Sequence, residues 1–204
     1  MTLALSRRGL AAAAIAVASA AHLPSSAHAR TASDADARAL IDLILENYAY
    51  QERLSGFSEQ RLRLLRERDA PLVASASELI TFGERALAAL FDHHAILNSS
   101  LANSYGLVPS FADLWIESDE RGRFAIQDVR HGSPALRSGV RPGDVLVGVE
   151  GALTDRAIAA FIEAPSDVLN TTQRDCCARV LAAGRRDRPR RLSCASPCRR
   201  APVR

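Results

Sequence analysis

The sequence predicts an α+β protein in which a small N-terminal helical bundle precedes a partly open β-barrel with helices. In the first half, apolar residues recur at the three- and four-residue spacing of amphipathic helices. After residue 107 the pattern changes to short apolar strands separated by turn residues. With 48% apolar residues in 204, the chain has enough material for a modest core.

The first 29 residues have the three parts of a secretory signal peptide. Arg7 and Arg8 supply the basic start, residues 10–21 form a 12-residue apolar run, and Ala27-His28-Ala29 fits the cleavage pattern of small residues. The run is shorter than the roughly 20 residues that a membrane span needs. We therefore expect export to the periplasm or cell envelope of a bacterium, through either an ordinary or a twin-arginine signal, and no membrane span.

Residues 30–103 are predicted to form the helical domain. Ser33 and Ser58 are the expected N-caps of its first two helices, and a third helix is expected from near Ser77 to Phe91. The apolar stripes of these helices would pack on one another or on the same surface of a second copy. A homodimer through the N-terminal helices is therefore a further expectation.

Residues 104–195 are predicted to form the sheet-containing domain. The strands over residues 114–116 and 124–129 flank the turn at Asp119 to Gly122 and predict a hairpin. The other expected elements are a short helix begun by Pro134, a strand over residues 144–149, a helix capped by Asp155, a helix over residues 172–183 and a strand over residues 190–194.

The most specific motif is Gly132-Ser133-Pro134-Ala135, followed by Gly139 and by Pro142-Gly143-Asp144. Pro134 presets the first turn of a helix, and Gly139 suits the left-handed residue that ends it. Pro142-Gly143 is a turn dipeptide before the next strand. This succession resembles a PDZ domain, a module that adds an extended peptide to a sheet edge and often captures its terminal carboxylate on backbone amides.

Three segments together resemble the C-terminal processing, or tricorn-type, serine peptidases. Residues 41–50 are similar to the N-terminal helix of that family, Asp92-His93-His94 to a following loop, and residues 124–151 to its PDZ domain. The resemblance covers residues 34–194 and implies peptide recognition. In the family a larger α/β domain with a serine nucleophile and a lysine base follows the PDZ domain.

That catalytic chemistry does not carry over to this chain. All 26 basic residues are arginine, so no lysine can serve as the base of a Ser-Lys pair or form a Schiff base. We therefore expect a protein that is not an enzyme. The alternative within the enzyme class is a truncated member of the peptidase family.

The PDZ resemblance places the peptide-binding residues on a loop and the strand that follows it. They are Ser110, Phe111, Ala112, Asp113, Leu114, Trp115 and Ile116. The loop lacks the glycine that lets such a backbone approach its ligand. Asp113 would repel a terminal carboxylate unless its side chain points away. Ligand side chains are expected in a groove beside the helix near residues 172–181.

The remaining polar clusters predict no cofactor and no metal site. Asp92-His93-His94 offers too few converging ligands, because neighbouring histidines do not share a helix face. The four cysteines, Cys176, Cys177, Cys194 and Cys198, lie near the end of the chain, where export permits a disulfide with three full pairings open.

The end of the chain is strongly basic. From residue 185 onward there are eight arginines and one acid, and residues 196–204 are predicted to form a basic tail. An anionic partner and a solvated terminus both fit this pattern. No aromatic residue is interleaved to stack on a base, so nucleic acid is not an expected partner.

The sequence as a whole predicts an exported, non-catalytic PDZ-domain protein that binds extended polypeptide or a protein C-terminus. A truncated peptidase and a helical dimerisation or scaffold protein are the alternatives.

Overall fold

A computed structural model describes residues 26–54, 56–106 and 112–196, and it has the mixed helix-and-sheet composition of an α+β protein. The predicted signal peptide lies mostly outside the described residues. So do residues 107–111, which include part of the predicted binding loop, and residues 197–204 of the predicted tail.

Three α-helices form the first part of the described chain: α1 (Ser26–Asn47), α2 (Phe57–Leu64) and α3 (Ala76–Ala88). Short 3₁₀ and π turns connect them over Gln51–Leu54, Leu65–Asp69 and Ala70–Leu72. Their apolar stripes meet in one core, as the helical spacing predicts. Its fully buried larger side chains are Ile41, Leu62 and Leu65.

The predicted helix starts need correction. Ser33 lies inside α1, which already begins at Ser26, so Ser33 is not its N-cap. Ser58 lies in the first turn of α2, and Gly56, at a φ of 70°, is the N-cap instead. The third helix begins as expected, but its cap is Ser75, whose hydroxyl accepts a hydrogen bond from the amide of Glu78, and it ends before Phe91.

Five antiparallel strands form one open sheet: β1 (Leu114–Ser118), β2 (Phe124–Val129), β3 (Val145–Val149), β4 (Ala152–Leu153) and β5 (Leu192–Ala195). The order is β1-β2-β3-β4, and β5 also pairs with β3. The predicted hairpin is confirmed, with Leu114 opposite Val129 and Ser118 opposite Phe124. A bulge interrupts its register between Trp115 and Ile116.

Three helices accompany the sheet: α4 (Pro134–Arg137), α5 (Thr154–Ile162) and α6 (Thr171–Ala183). The short helix at Pro134 and the long helix near residues 172–183 are confirmed. The predicted cap of α5 is wrong, because Leu153 precedes the helix and Asp155 lies in its first turn. The capping box of α6 is made by Asn170 and Gln173.

The turn chemistry of the specific motif agrees with the structure. Ser133 caps α4, and Gly139 follows the helix at a φ of 94°. Glu150 and Gly151 both have positive φ, 53° and 86°, as a type I′ turn between two strands requires.

A second core lies between the sheet and helices α4, α5 and α6. Its innermost side chains are Ile116, Ile126, Leu146, Ile158 and Cys177. Phe57 and Phe91 of the helical part pack against it, so the two cores adjoin. The predicted division of the chain at residue 104 stays a prediction.

Ion pairs join the two parts of the molecule. The carboxylate of Glu163, at the end of α5, accepts hydrogen bonds from Arg61 of α2 at 2.6 Å and Arg85 of α3 at 2.7 Å. Arg85 also pairs with Asp69 at 2.5 Å. One acidic side chain thus ties the sheet part to two helices of the helical part.

Among the described helices, none is both long enough and apolar enough to cross a membrane.

Candidate functional site

Strand β1 lies at one end of the strand order and, among the described strands, pairs with β2 alone. Its other side faces helix α6, which packs along it. We call this side, formed by the backbone of residues 114–118, the β1 edge. An edge strand presents backbone N–H and C=O groups that another strand can pair with.

Two side chains of α6 bind the β1 edge directly. The Nε of Arg179 donates to the carbonyl oxygen of Ile116 at 2.7 Å. Oδ1 of Asp175 accepts the backbone N–H of Ser118 at 3.0 Å and its hydroxyl at 2.6 Å. We call Arg179 and Asp175 the α6 clasp. They satisfy edge groups that none of the described strands satisfies.

The spacing of the two elements explains why the clasp fits. Residues four apart on a helix lie on one face, so Asp175 and Arg179 project together from α6. Residues two apart on a strand direct their backbone groups to the same side, so Ile116 and Ser118 both address α6. Both clasp side chains are largely covered, with 7% of Asp175 and 12% of the Arg179 side chain exposed.

The outward face of β1 carries an aromatic and charged cluster. Trp115 is 39% exposed, and the guanidinium of Arg179 lies 4.0 Å from the centre of its ring. The indole N–H of Trp115 donates to Glu117 at 2.9 Å, and Glu117 lies 3.5 Å from Arg179. Arg179 therefore contacts both the backbone of the edge and the exposed face beside it.

The structure places the predicted site residues in different surroundings. Ser110 and Phe111 lie outside the described residues. Ala112, Leu114 and Ile116 have buried side chains, so only the backbone of the last two could contact a ligand at the edge. Among the members of the set that the structure describes, Trp115 is the exposed one.

Asp113 points into the protein. Its carboxylate accepts the backbone N–H of Ala135 at 3.0 Å and pairs with Arg190. Burial alone would raise the pKa of Asp113, but the hydrogen bonds from Arg190 and Ala135 outweigh it and hold that pKa below its ordinary value. The predicted repulsion of a terminal carboxylate therefore does not apply, because the charge of Asp113 is paired inside the fold.

One histidine and one cysteine, His93 and Cys176, lie together in a largely covered cluster away from the β1 edge. The Sγ of Cys176 lies 3.7 Å from Nδ1 of His93, and the neighbouring Asp92 accepts the hydroxyl of Tyr48 at 2.7 Å. Burial raises the pKa of Cys176 to about 12, so its sulfur is a thiol at neutral pH. The void beside this cluster measures about 20 Å³, too little for a substrate.

The three described cysteines, Cys176, Cys177 and Cys194, carry free thiols, and Cys198 lies outside the described residues. Within residues 26–54, 56–106 and 112–196, no three His, Cys, Asp or Glu residues are grouped so that they could hold a metal ion.

A cleft of about 450 Å³ lies where α3 meets the sheet part. Its floor includes the edge-to-face pair of Tyr105 and Phe161, whose ring centres are 5.4 Å apart. Charges of both signs line it, Glu84 and Glu150 with Arg185 and Arg188 among them. We call this the interface cleft. Its volume falls in the range of ligand pockets.

Sequence reasoning missed the clasp. An acidic residue four positions before an arginine on a helix is usually a solvated pair, and nothing in the spacing says which neighbour the pair faces. The prediction of a groove beside residues 172–181 did place the correct helix next to the strand.

Comparison with protein-family models, with curated proteins and with solved structures finds no match to this chain.

Proposed function

We propose that the protein is an exported, non-catalytic binding protein whose PDZ-like part receives an extended polypeptide segment along the β1 edge. The observation that carries the proposal is the way this edge is satisfied. Its Ile116 carbonyl and Ser118 amide are bound by two side chains of α6 and, among the described strands, not by a further strand. A peptide strand would offer the same donor and acceptor.

Three further features support this proposal. The turn, short helix and strand that follow residue 132 have the order of a PDZ domain, and α6 flanks β1 where such a domain has its groove-forming helix. The exposed indole of Trp115 offers an aromatic surface beside the edge that a side chain of the bound segment could contact. Small interfaces of this kind bind with affinities on the order of micromolar.

Fluorescence polarisation with labelled peptides tests this function. The panel pairs peptides that have free apolar C-termini with their amidated forms and with forms N-methylated at alternate residues, which cannot donate to a strand. We expect binding that N-methylation abolishes. If amidation abolishes binding, the site also recognises the terminal carboxylate of the peptide. If the free and amidated forms bind equally, the ligand is an internal extended segment.

A pair of variants at one position links binding to the edge. Ser118→Pro removes the backbone N–H that faces α6 and leaves the hydrogen bonds between β1 and β2 in place. Proline is tolerated on an edge strand where its nitrogen faces away from the neighbouring strand. Ser118→Ala keeps the amide and is the matched control. We expect the proline variant to lose binding and the alanine variant to keep it; equal binding by both would contradict the assignment to this edge.

Peptidase activity is the alternative from the enzyme class. The absence of lysine motivates the expectation that the purified protein leaves unfolded protein substrates intact. Turnover that survives repurification and is blocked by a serine-directed reagent would overturn the non-catalytic assignment.

A second candidate function is ligand binding in the interface cleft, which its volume and its aromatic floor favour. A scaffold role is the third reading. It would appear as a stable dimer that binds no peptide and that Leu43→Glu, on the exposed side of α1, dissociates.

A further inference from the structure

The α6 clasp imitates a bound strand. An incoming peptide would donate an N–H to the carbonyl of Ile116 and accept the N–H of Ser118. Arg179 and Asp175 already provide that donor and that acceptor, at 2.7 and 3.0 Å. Since each of these two backbone groups is in use, the peptide and the clasp compete for the same positions.

We propose that the α6 clasp is an autoinhibitory latch, and that an extended peptide binds the β1 edge only when Arg179 and Asp175 release it. This inference rests on the proposed function, because it names what regulates that same edge. The occupant is one extended peptide strand, identified by its backbone donor and acceptor.

The side chain of Arg179 has other contacts that it can keep when it releases the β1 edge. Its guanidinium already lies over the ring of Trp115 and within 3.5 Å of Glu117, both on the exposed face of β1. It can keep these two contacts while its Nε leaves Ile116. The release therefore costs one charge-assisted hydrogen bond and not the whole environment of the side chain.

Asp175 is the tighter half of the latch. It accepts both the amide and the hydroxyl of Ser118, and the hydroxyl bond, at 2.6 Å, does not involve the strand backbone. Removing that hydroxyl weakens the latch without altering any residue of α6. Ser118→Ala is therefore the least disruptive probe of the clasp.

When only a small fraction of a protein is in the state that can bind a ligand, its apparent affinity for that ligand is reduced in proportion to that fraction. Weakening the latch must then tighten peptide binding. We expect Arg179→Met, which keeps most of the apolar length of the side chain, to bind the peptide about tenfold more tightly than the unmodified protein. Ser118→Ala should give a smaller gain in the same direction.

Arg174→Met is the matched control. Arg174 lies on the same helix and pairs with Asp155 at 2.8 Å, and it makes none of the edge contacts described above. Its substitution should leave the dissociation constant unchanged. A gain of equal size in Arg174→Met would assign the effect to charge or to helix stability and would overturn the latch.

The binding experiment separates the two proposals. If the unmodified protein and Arg179→Met bind with equal affinity, or if Arg179→Met binds more weakly, the edge function stands and the latch is overturned. If no variant binds any peptide, the edge function is overturned and the latch with it.

A measurement on the unmodified protein covers the case in which Arg179→Met does not fold. The ¹H–¹⁵N signal of the Arg179 Nε–H reports its hydrogen bond to Ile116. Saturating peptide should shift that signal strongly, because the bond must break. A signal that stays in place while the peptide binds would overturn the latch.

Discussion

At the scale of single residues, two acidic side chains that join distant parts of the chain are paired with arginine. Asp113 pairs with Arg190, and Glu163 with Arg61 and Arg85. Because the chain has no lysine, every basic partner presents a planar fork of donors that can bind several oxygens at once.

Asp113 was predicted as a ligand-binding residue, but its contacts are those of a structural one. Replacing it by asparagine leaves Arg190 without its counter-charge. We expect Asp113→Asn to lower the free energy of unfolding by about 2 to 3 kcal/mol, below the usual loss for a fully buried pair because 20% of the Arg190 side chain is exposed. Glu120→Gln, in an exposed turn, is the control, and urea unfolding is the measurement. Equal stability of the two variants would contradict this role.

Glu163 should make the stability depend on pH. Burial alone would raise its pKa, but Arg61 and Arg85 outweigh burial and lower it below the ordinary 4.5. A carboxyl group with a lowered pKa in the folded state stabilises above its unfolded pKa and loses that contribution as the pH falls through the folded value. We therefore expect the free energy of unfolding to decrease as the pH is lowered below about 4.5. The decrease should be less steep in Glu163→Gln than in the unmodified protein.

The control for this titration is Glu59→Gln, since Glu59 forms an exposed pair with Arg63 within α2. Its substitution should leave the acid slope nearly unchanged. An acid slope that is the same in the unmodified protein and in Glu163→Gln would refute the assigned contribution.

At the scale of elements, β3 is crowded by its neighbours at one position. A Cβ added at Gly148 would lie 2.8 Å from the carbonyl oxygen of Ala152, the first residue of β4, and 3.4 Å from the Cβ of Ser193. The register of β3 with β5 shifts beside it, between Leu146 and Gly148.

Gly148→Ala should therefore strain the sheet. We expect it to lower the free energy of unfolding by about 1 to 3 kcal/mol, as overpacking does elsewhere. Val147→Ala, at the exposed neighbouring position, should change it by no more than about 0.5 kcal/mol. Thermal unfolding of both variants is the check, and an unchanged midpoint for Gly148→Ala would show that the strand relaxes at no cost.

The elements that sequence could predict are those set by local chemistry. Pro134 and Gly139 bound α4, because proline presets the first turn of a helix and glycine readily adopts the positive φ that ends it. Helix starts were less predictable. Ser33 and Ser58 both have side chains suited to capping a helix. However, α1 already begins on the N-terminal side of Ser33, and Ser58 is buried.

The candidate site was predictable as a strand and a helix but not as a closed edge. The short apolar run of Leu114, Trp115 and Ile116 before a turn correctly predicts a strand, and the structure adds that its middle side chain is exposed. That Arg179 would reach the backbone of Ile116, 63 positions earlier, depends on how α6 packs against β1. Such long-range placement leaves no signal in the spacing of either segment.

At the scale of the whole molecule, the β1 edge and the interface cleft are the two proposed ligand sites formed by described residues. The β1 edge is closed by the α6 clasp, and the interface cleft lies between α3 and the sheet part. A ligand that binds through its backbone would need the β1 edge. A compact apolar group would instead bind in the interface cleft, against Tyr105 and Phe161.

An NMR titration of the ¹⁵N-labelled protein with the tightest-binding extended peptide tests the central claim most directly. We expect amide shifts to concentrate in residues 114–118 and on the facing side of α6, and the amide of Ser118 to stay protected from exchange when the peptide replaces Asp175. Shifts confined to the interface cleft or to β5, with the amides of Ile116 and Ser118 unchanged at saturation, would contradict it.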